Sequence, residues 1–221
     1  MKLFVKPVST DLQYRAFFSE PQLGLGRFMD DKREQLIRQI LTLFKLRLND
    51  VKFNNAAPSN DFIHFSKFYG DCFLDVSFGL EEVQIVMRRS QSEALLNDVT
   101  EKIGDLLSGR PLSSQRFTVQ EHFSSTGGSV EYLRSLNPSS PASFESLLSS
   151  VGVHYTLRVG DHNLVVYVTV VESLFVSGGI YLSIEFEFLP NKYALVEASK
   201  VTKEQYQFVL NGLELEIKEL S

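Results

Sequence analysis

Apolar and polar residues alternate over long stretches of the chain, and that period of two sorts side chains onto the two faces of a sheet. In GIYLSIEFEF, starting at Gly179, Ile180, Leu182, Ile184, Phe186 and Phe188 share one side, while Tyr181, Ser183, Glu185 and Glu187 share the other. VHYTLRV sets Val153, Tyr155, Leu157 and Val159 against His154, Thr156 and Arg158. CFLDVSF sets Leu74, Val76 and Phe78 against Phe73, Asp75 and Ser77. One face is therefore greasy and needs cover, and the second mixes aromatics with polar and charged groups. Strands are predicted at 63–69, 72–80, 81–89, 116–123, 153–159, 163–172, 179–189 and 213–220. LVVYVTVV at 164–171 is apolar on both sides, which predicts a central strand covered twice.

Four segments change to helical spacing. Residues 31–48 place Leu36, Ile40, Leu43 and Phe44 on one stripe. SQSEALLNDVTEKIGDLLSG carries Leu95, Leu96, Val99, Ile103, Leu106 and Leu107, with Ser92 as N-cap and Gly109 as stop. A third helix is expected at 142–151, behind the capping pair Ser140-Pro141. A fourth is expected at 200–210, ending at Gly212. Near the N-terminus, MKLFV reads as an edge strand and EPQLGLGRFM as an ordered loop.

IHFSKFYGD at 63–71 and VHYTLRVGD at 153–161 align with three identities and three conservative pairs, His64 falling on His154. Gly-Asp in each suits a tight hairpin, and similar strands and helices follow both. The expected fold is α+β: an internally duplicated helix–three strands–helix–strand unit forming a mainly antiparallel sheet with helices packed on one face. The segments are an N-terminal piece at 1–30, repeats at 31–124 and 142–221, and a connector rich in Ser, Gly and Pro at 125–141. In layout alone this is similar to duplicated TATA-binding-protein-like and helix-grip folds, but no sequence motif of either is present, so nothing functional carries over.

The chain has 221 residues, 43% of them apolar and 22% charged, within the range of ordinary globular proteins. That length hides about 70% of the unfolded surface, enough to fold without metal or disulfide. Cys72 has no cysteine to pair with, which suits a reducing compartment and makes the cytoplasm the expected location. No apolar run approaches a bilayer span, so no membrane association is expected. Net charge is −5 and the basic residues are scattered, so no nucleic-acid partner is expected either.

Candidate chemistry is sparse. His64 and His154 occupy matching positions, but no HExxH, CxxC or HxH spacing supports a metal site. Glu81 and Glu82 point to opposite faces of a hairpin end and are poorly placed for joint acid–base work. No GxSxG elbow and no phosphate-binding glycine loop occurs. No catalytic residue, metal or cofactor is assigned. The mixed face supplies the candidate ligand or partner residues: His64, Phe68, Phe73, His154, Arg158, Tyr181, Glu185 and Glu187. Cross-strand pairs from Arg158 to Glu185 or Glu187 are expected within it. The favoured reading is a non-enzymatic binding or assembly protein that engages a protein partner or a second copy of itself. The alternative is a small-ligand-binding protein or enzyme with a pocket between sheet and helices.

Overall fold

The computed structural model describes residues 2–22, 30–54, 62–69, 72–88, 93–125, 127–136, 152–190 and 193–217. The elements run β1 (Leu3–Phe18), α1 (Asp30–Phe44), β2 (Val51–Asn54), β3 (Phe62–Tyr69), β4 (Cys72–Gly79) and β5 (Glu82–Arg88). Then come α2 (Glu93–Leu107), β6 (Leu112–Ser125), α3 (Ser129–Leu136), β7 (Gly152–Val159) and β8 (Leu164–Glu172). The chain continues through β9 (Ile180–Phe188), α4 (Leu195–Gly212) and β10 (Leu215–Ile217). The strands form one mainly antiparallel sheet in the order β2-β3-β4-β5-β1-β6-β9-β8-β7, with β10 pairing in parallel to β1.

The chain separates into two compact units. The first comprises Leu12–Phe117 and Glu187–Ser199. Its strands β4 and β5 bury every second residue, including Leu74, Val76, Phe78, Val83 and Ile85, and β3 buries Ile63 and Phe65. Leu36, Ile40 and Phe44 recur every four residues along α1, so one stripe of that helix is buried, and the Phe44 ring lies 5.0 Å from the Phe65 ring. Val99, Ile103, Leu106 and Leu107 are the buried stripe of α2, and the chain turns out of that helix at Gly109 with φ +75°. A polar residue, Gln115, sits in the apolar row of β6 at 1% exposure. Its cost is offset because its amide oxygen accepts from the Tyr14 hydroxyl (3.0 Å) and its nitrogen donates to the Tyr193 carbonyl (2.8 Å). Burial drives the Tyr14 phenol far above its ordinary value, keeping it protonated as that donor.

The second unit comprises Met1–Asp11, Thr118–Phe186 and Lys200–Ser221. Here Leu164, Val166, Val168 and Val170 of β8 and Ile180, Leu182, Ile184 and Phe186 of β9 form the buried row. Helix α3 adds Tyr132, fully buried, whose hydroxyl donates to the Leu213 carbonyl at 2.7 Å and anchors the turn before β10. Leu3 and Val5 are buried, and their strand pairs with Leu215 and Ile217.

Several expectations change. MKLFV is not an edge: it opens the sixteen-residue β1, which lies between β5 and β6. The expected connector contains α3, whose Tyr132 and Leu133 are core residues. Helix α4 starts at Leu195, five residues before the expected start, with the Glu197 carboxylate accepting from the Ala194 N–H at 3.2 Å. Strand β8 is next to last in the sheet, and Val165, Tyr167, Thr169 and Val171 are half-buried rather than fully covered. The helix expected at 142–151 and the turn at Gly70-Asp71 lie outside the described residues. In the other hairpin Val159 pairs with Leu164, so four residues make the turn, and Asn163 rather than Gly160 takes the left-handed conformation with φ +48°.

Phe65 has no exposed surface and packs against Phe44. Phe65→Ala is expected to lower stability by about 3–5 kcal/mol in urea unfolding, through lost burial and an unfilled cavity.

Candidate functional site

A groove of about 430 Å³ opens on the half-exposed face of the second unit. Alternation places its residues: Glu121 and Phe123 of β6 point into the core, so Gln120 and His122 point the other way. Beside them stand Tyr181 from β9, Val171 and Glu172 from the end of β8, and Ser9 and Asp11 from β1. Leu174 and Phe175, in the loop from β8 to β9, form the remaining wall. Among the described residues the lining holds two carboxylates and neither Lys nor Arg.

Ser173 builds that loop. Its hydroxyl oxygen accepts from the N–H groups of Phe175 (3.2 Å) and Val176 (3.0 Å), and its own N–H donates to the Gly179 carbonyl at 3.0 Å. Ser125 donates to the Gly178 carbonyl at 2.8 Å. Gly179 is required by close approach, since a Cβ there would lie 2.3 Å from the Phe123 carbonyl oxygen. Such a loop fixes what it carries, and it carries two apolar residues in water: Leu174 is 95% exposed and Phe175 84%.

The same serine sets the state of His122. Its oxygen has two lone pairs, both taken by backbone N–H groups, so its remaining proton goes to His122 Nδ1 at 2.9 Å. With Nδ1 accepting from that hydroxyl, the ring carries its proton on Nε2. Its ring meets Phe175 edge-on at 4.9 Å and Tyr181 at 4.8 Å with a 33° tilt.

Beneath this face, Glu121 is a carboxylate in the apolar row, 5% exposed. It accepts from the Thr10 hydroxyl at 3.1 Å and the Tyr206 hydroxyl at 2.5 Å. Burial pushes the Glu121 carboxyl above its ordinary 4.5, and the two hydroxyls pull it partly back. Burial, followed by the Glu121 charge, raises the Tyr206 phenol.

Of the eight residues singled out by sequence, Tyr181 alone lines the groove. His154 and Arg158 are exposed on β7, where His154 Nδ1 meets Thr169 Oγ1 at 2.9 Å and Arg158 pairs across the strands with Val165. Glu185 is half-buried on the Tyr181 side of β9. The expected pairs from Arg158 to Glu185 or Glu187 are not cross-strand neighbours, because β8 lies between β7 and β9; Glu187 instead takes Arg116 at 2.8 Å. Phe68 and Phe73 are paired residues of β3 and β4 in the first unit, their rings edge to face at 5.4 Å. His64 lies further along β3, with Nε2 2.9 Å from Asp75 Oδ1 and 3.2 Å from Ser66 Oγ. Both partners meet the same nitrogen, and Ser66 donates to Asp75 at 3.1 Å. The serine thus donates to the carboxylate directly rather than through the imidazole, so the trio lacks the serine–histidine–carboxylate order of a nucleophilic triad. Among the described residues no group of three or more His, Cys, Asp or Glu could hold a metal ion.

Sequence reasoning did not single out His122, Phe175 or Glu172. The signal for Phe175 was ESLFVSGG, where Leu174-Phe175-Val176 is an apolar run inside a loop closed by Gly178-Gly179. No protein-family model matches the chain, and no curated protein matches it in sequence.

Two outcomes test this geometry. Ser173→Ala removes the acceptor for two N–H groups and should lower stability by about 1 kcal/mol, with ¹⁵N spectra showing His122 losing its fixed Nε2–H tautomer. The second concerns Glu121. A raised folded value means that the folded chain binds the proton more tightly than the unfolded chain. The stabilisation is thus full below the ordinary 4.5 and is lost as pH rises through the raised value. In urea unfolding from pH 4 to 8, Glu121→Gln should gain on the wild type as pH rises; a gap independent of pH would contradict the assignment.

Proposed function

We propose that this is a non-enzymatic binding protein that engages a protein partner through the half-exposed sheet face of the second unit. The observation that carries this reading is the pair Leu174 and Phe175, 95% and 84% exposed on a loop whose backbone is fixed by Ser173. Exposed apolar side chains on a rigid loop lose little entropy when a partner covers them, which is what an anchor needs. The groove beside them supplies polar groups for specificity, and half-buried Tyr181 adds an aromatic wall. A groove of about 430 Å³ also suits a small ligand, and this is the second reading.

The platform itself is read as a duplication. The order of elements supports it: strand, helix, antiparallel strands and helix occur from β1 to α2, and again from β6 to α4. Exchanging β1 with β6, β5 with β9, β4 with β8 and β3 with β7 maps that part of the strand order onto itself. His64 faces Ser77 in one hairpin and His154 faces Thr169 in the other, as expected if the second turn gained two residues. Among the described residues no helix is long and apolar enough to cross a membrane. A cytoplasmic location is part of this proposal, resting on the single buried Cys72.

The test is a photo-cross-linking side chain in place of Phe175, used in the source cells. A discrete adduct that disappears when Leu174→Ser is added supports docking at this loop. Both exposed substitutions should leave stability within about 0.5 kcal/mol. Light scattering at micromolar concentration separates a foreign partner from self-association. A monomer that yields no adduct refutes the proposal.

A further inference from the structure

We propose that His122 is a proton-sensitive latch on the β8–β9 loop: when its imidazole takes a second proton, Ser173 loses its hold on the loop backbone and the Leu174–Phe175 tip comes free. The weaker docking that follows rests on the reading of this loop as a protein anchor. The latch itself rests on hydrogen-bond geometry alone.

The argument is a count of lone pairs. Three groups meet Ser173 Oγ: the N–H of Phe175 at 3.2 Å, the N–H of Val176 at 3.0 Å, and His122 Nδ1 at 2.9 Å. A hydroxyl offers two lone pairs and one proton, so this oxygen is saturated. With Nε2 already protonated, a second proton from solvent goes to Nδ1, and both ring nitrogens are then donors. Nδ1–H now points at an oxygen whose lone pairs are taken and whose own proton lies on the same line. The ring has little room to turn aside, because its centroid stands 4.9 Å from that of Phe175 and 4.8 Å from that of Tyr181. The hydroxyl is the softer partner, since it turns about a single bond. A charged donor also binds about twice as strongly as a neutral one, so the imidazolium takes a lone pair and one backbone N–H loses its acceptor. Phe175 makes the longer of the two bonds and yields first.

The release is confined to the tip. At the base of the loop the Ser173 N–H donates to the Gly179 carbonyl at 3.0 Å, and the Gly179 N–H donates to the Val176 carbonyl at 2.9 Å. Ser125 holds the Gly178 carbonyl at 2.8 Å. None of these bonds uses the Ser173 hydroxyl. What comes free is therefore Leu174 and Phe175, which a partner would have to order again at an entropic cost. Other groups of changeable charge line the same groove: Asp11 from β1, Glu172 from β8 and Tyr181 from β9. On β6 itself, Glu121 points to the opposite face. The resonances of the His122 ring, rather than the pH, are therefore the proper measure of its state.

The test is an acid titration of the full chain, with the His122 ring followed by ¹H–¹⁵N correlation and amide exchange with solvent measured at each step. Each rate is divided by that of an unstructured peptide at the same pH, which gives a protection factor. Protection of the Phe175 amide should fall about fivefold as the ring gains its second proton, the worth of one hydrogen bond. Gly179 should keep its protection throughout. In His122→Gln, whose amide takes no proton, Phe175 protection should stay constant over the same range. Phe175 protection that is absent, that ignores ring protonation, or that falls equally in His122→Gln would overturn the latch. So would a fall shared by Gly179, which is general unfolding; that comparison decides within the wild type even if the variant does not fold. If protection falls with the ring but no adduct forms at Phe175, the docking reading fails and the latch stands. An adduct with constant protection has the reverse meaning.

Discussion

The parity of the pleat is the constraint on which this molecule depends. Each buried strand surrenders alternate side chains to the core, and a shift of one residue would exchange the two sets completely. In β9 that exchange would send Glu185 and Glu187 inside and put Ile184 and Phe186 in water. No local rearrangement repairs such an error, so the pattern fixes the strand faces before any specific contact forms. What the open face presents follows from this. Tyr181 and His122 point outward because their neighbours must point inward.

That is also why so much of the sheet was legible. β4 and β9 alternate cleanly and their buried rows match the expected ones. The failures occur where parity or composition misleads. In β1, Leu3 and Val5 are buried, yet the next inward group is the Thr10 hydroxyl, while Ser9 and Asp11 face the groove. The inward set thus passes from odd to even numbers between Val5 and Thr10, a stretch that contains Pro7, which cannot donate to a ladder. A search for steady alternation stops there and sees only the first five residues. Helix α3 was missed for the opposite reason. Its neighbourhood is rich in Ser and Gly, although Tyr132 and Leu133 are adjacent core residues.

The candidate site was less legible than the fold. Strand alternation nominates a whole face, and the half-buried groove uses a small part of it. What gathers Tyr181, His122 and Glu172 into one place is the return of the β8–β9 loop across their strands. That return depends on one hydroxyl with three hydrogen-bond partners and on the close approach at Gly179. Neither leaves a periodic trace. An exposed apolar run between strands is the trace that does remain, and it points to the loop rather than to the histidine beneath it.

Glu121 carries a different consequence. A slip of β6 by two residues preserves parity, so the pleat alone does not forbid it. It would, however, carry the carboxylate away from the hydroxyls of Thr10 and Tyr206, which now satisfy it. An acceptor stranded among aliphatic groups is costlier than any mismatch between one aliphatic residue and another. The buried acid therefore works as a key cut for one alignment: it adds little to the depth of the native state and raises the energy of its nearest competitor.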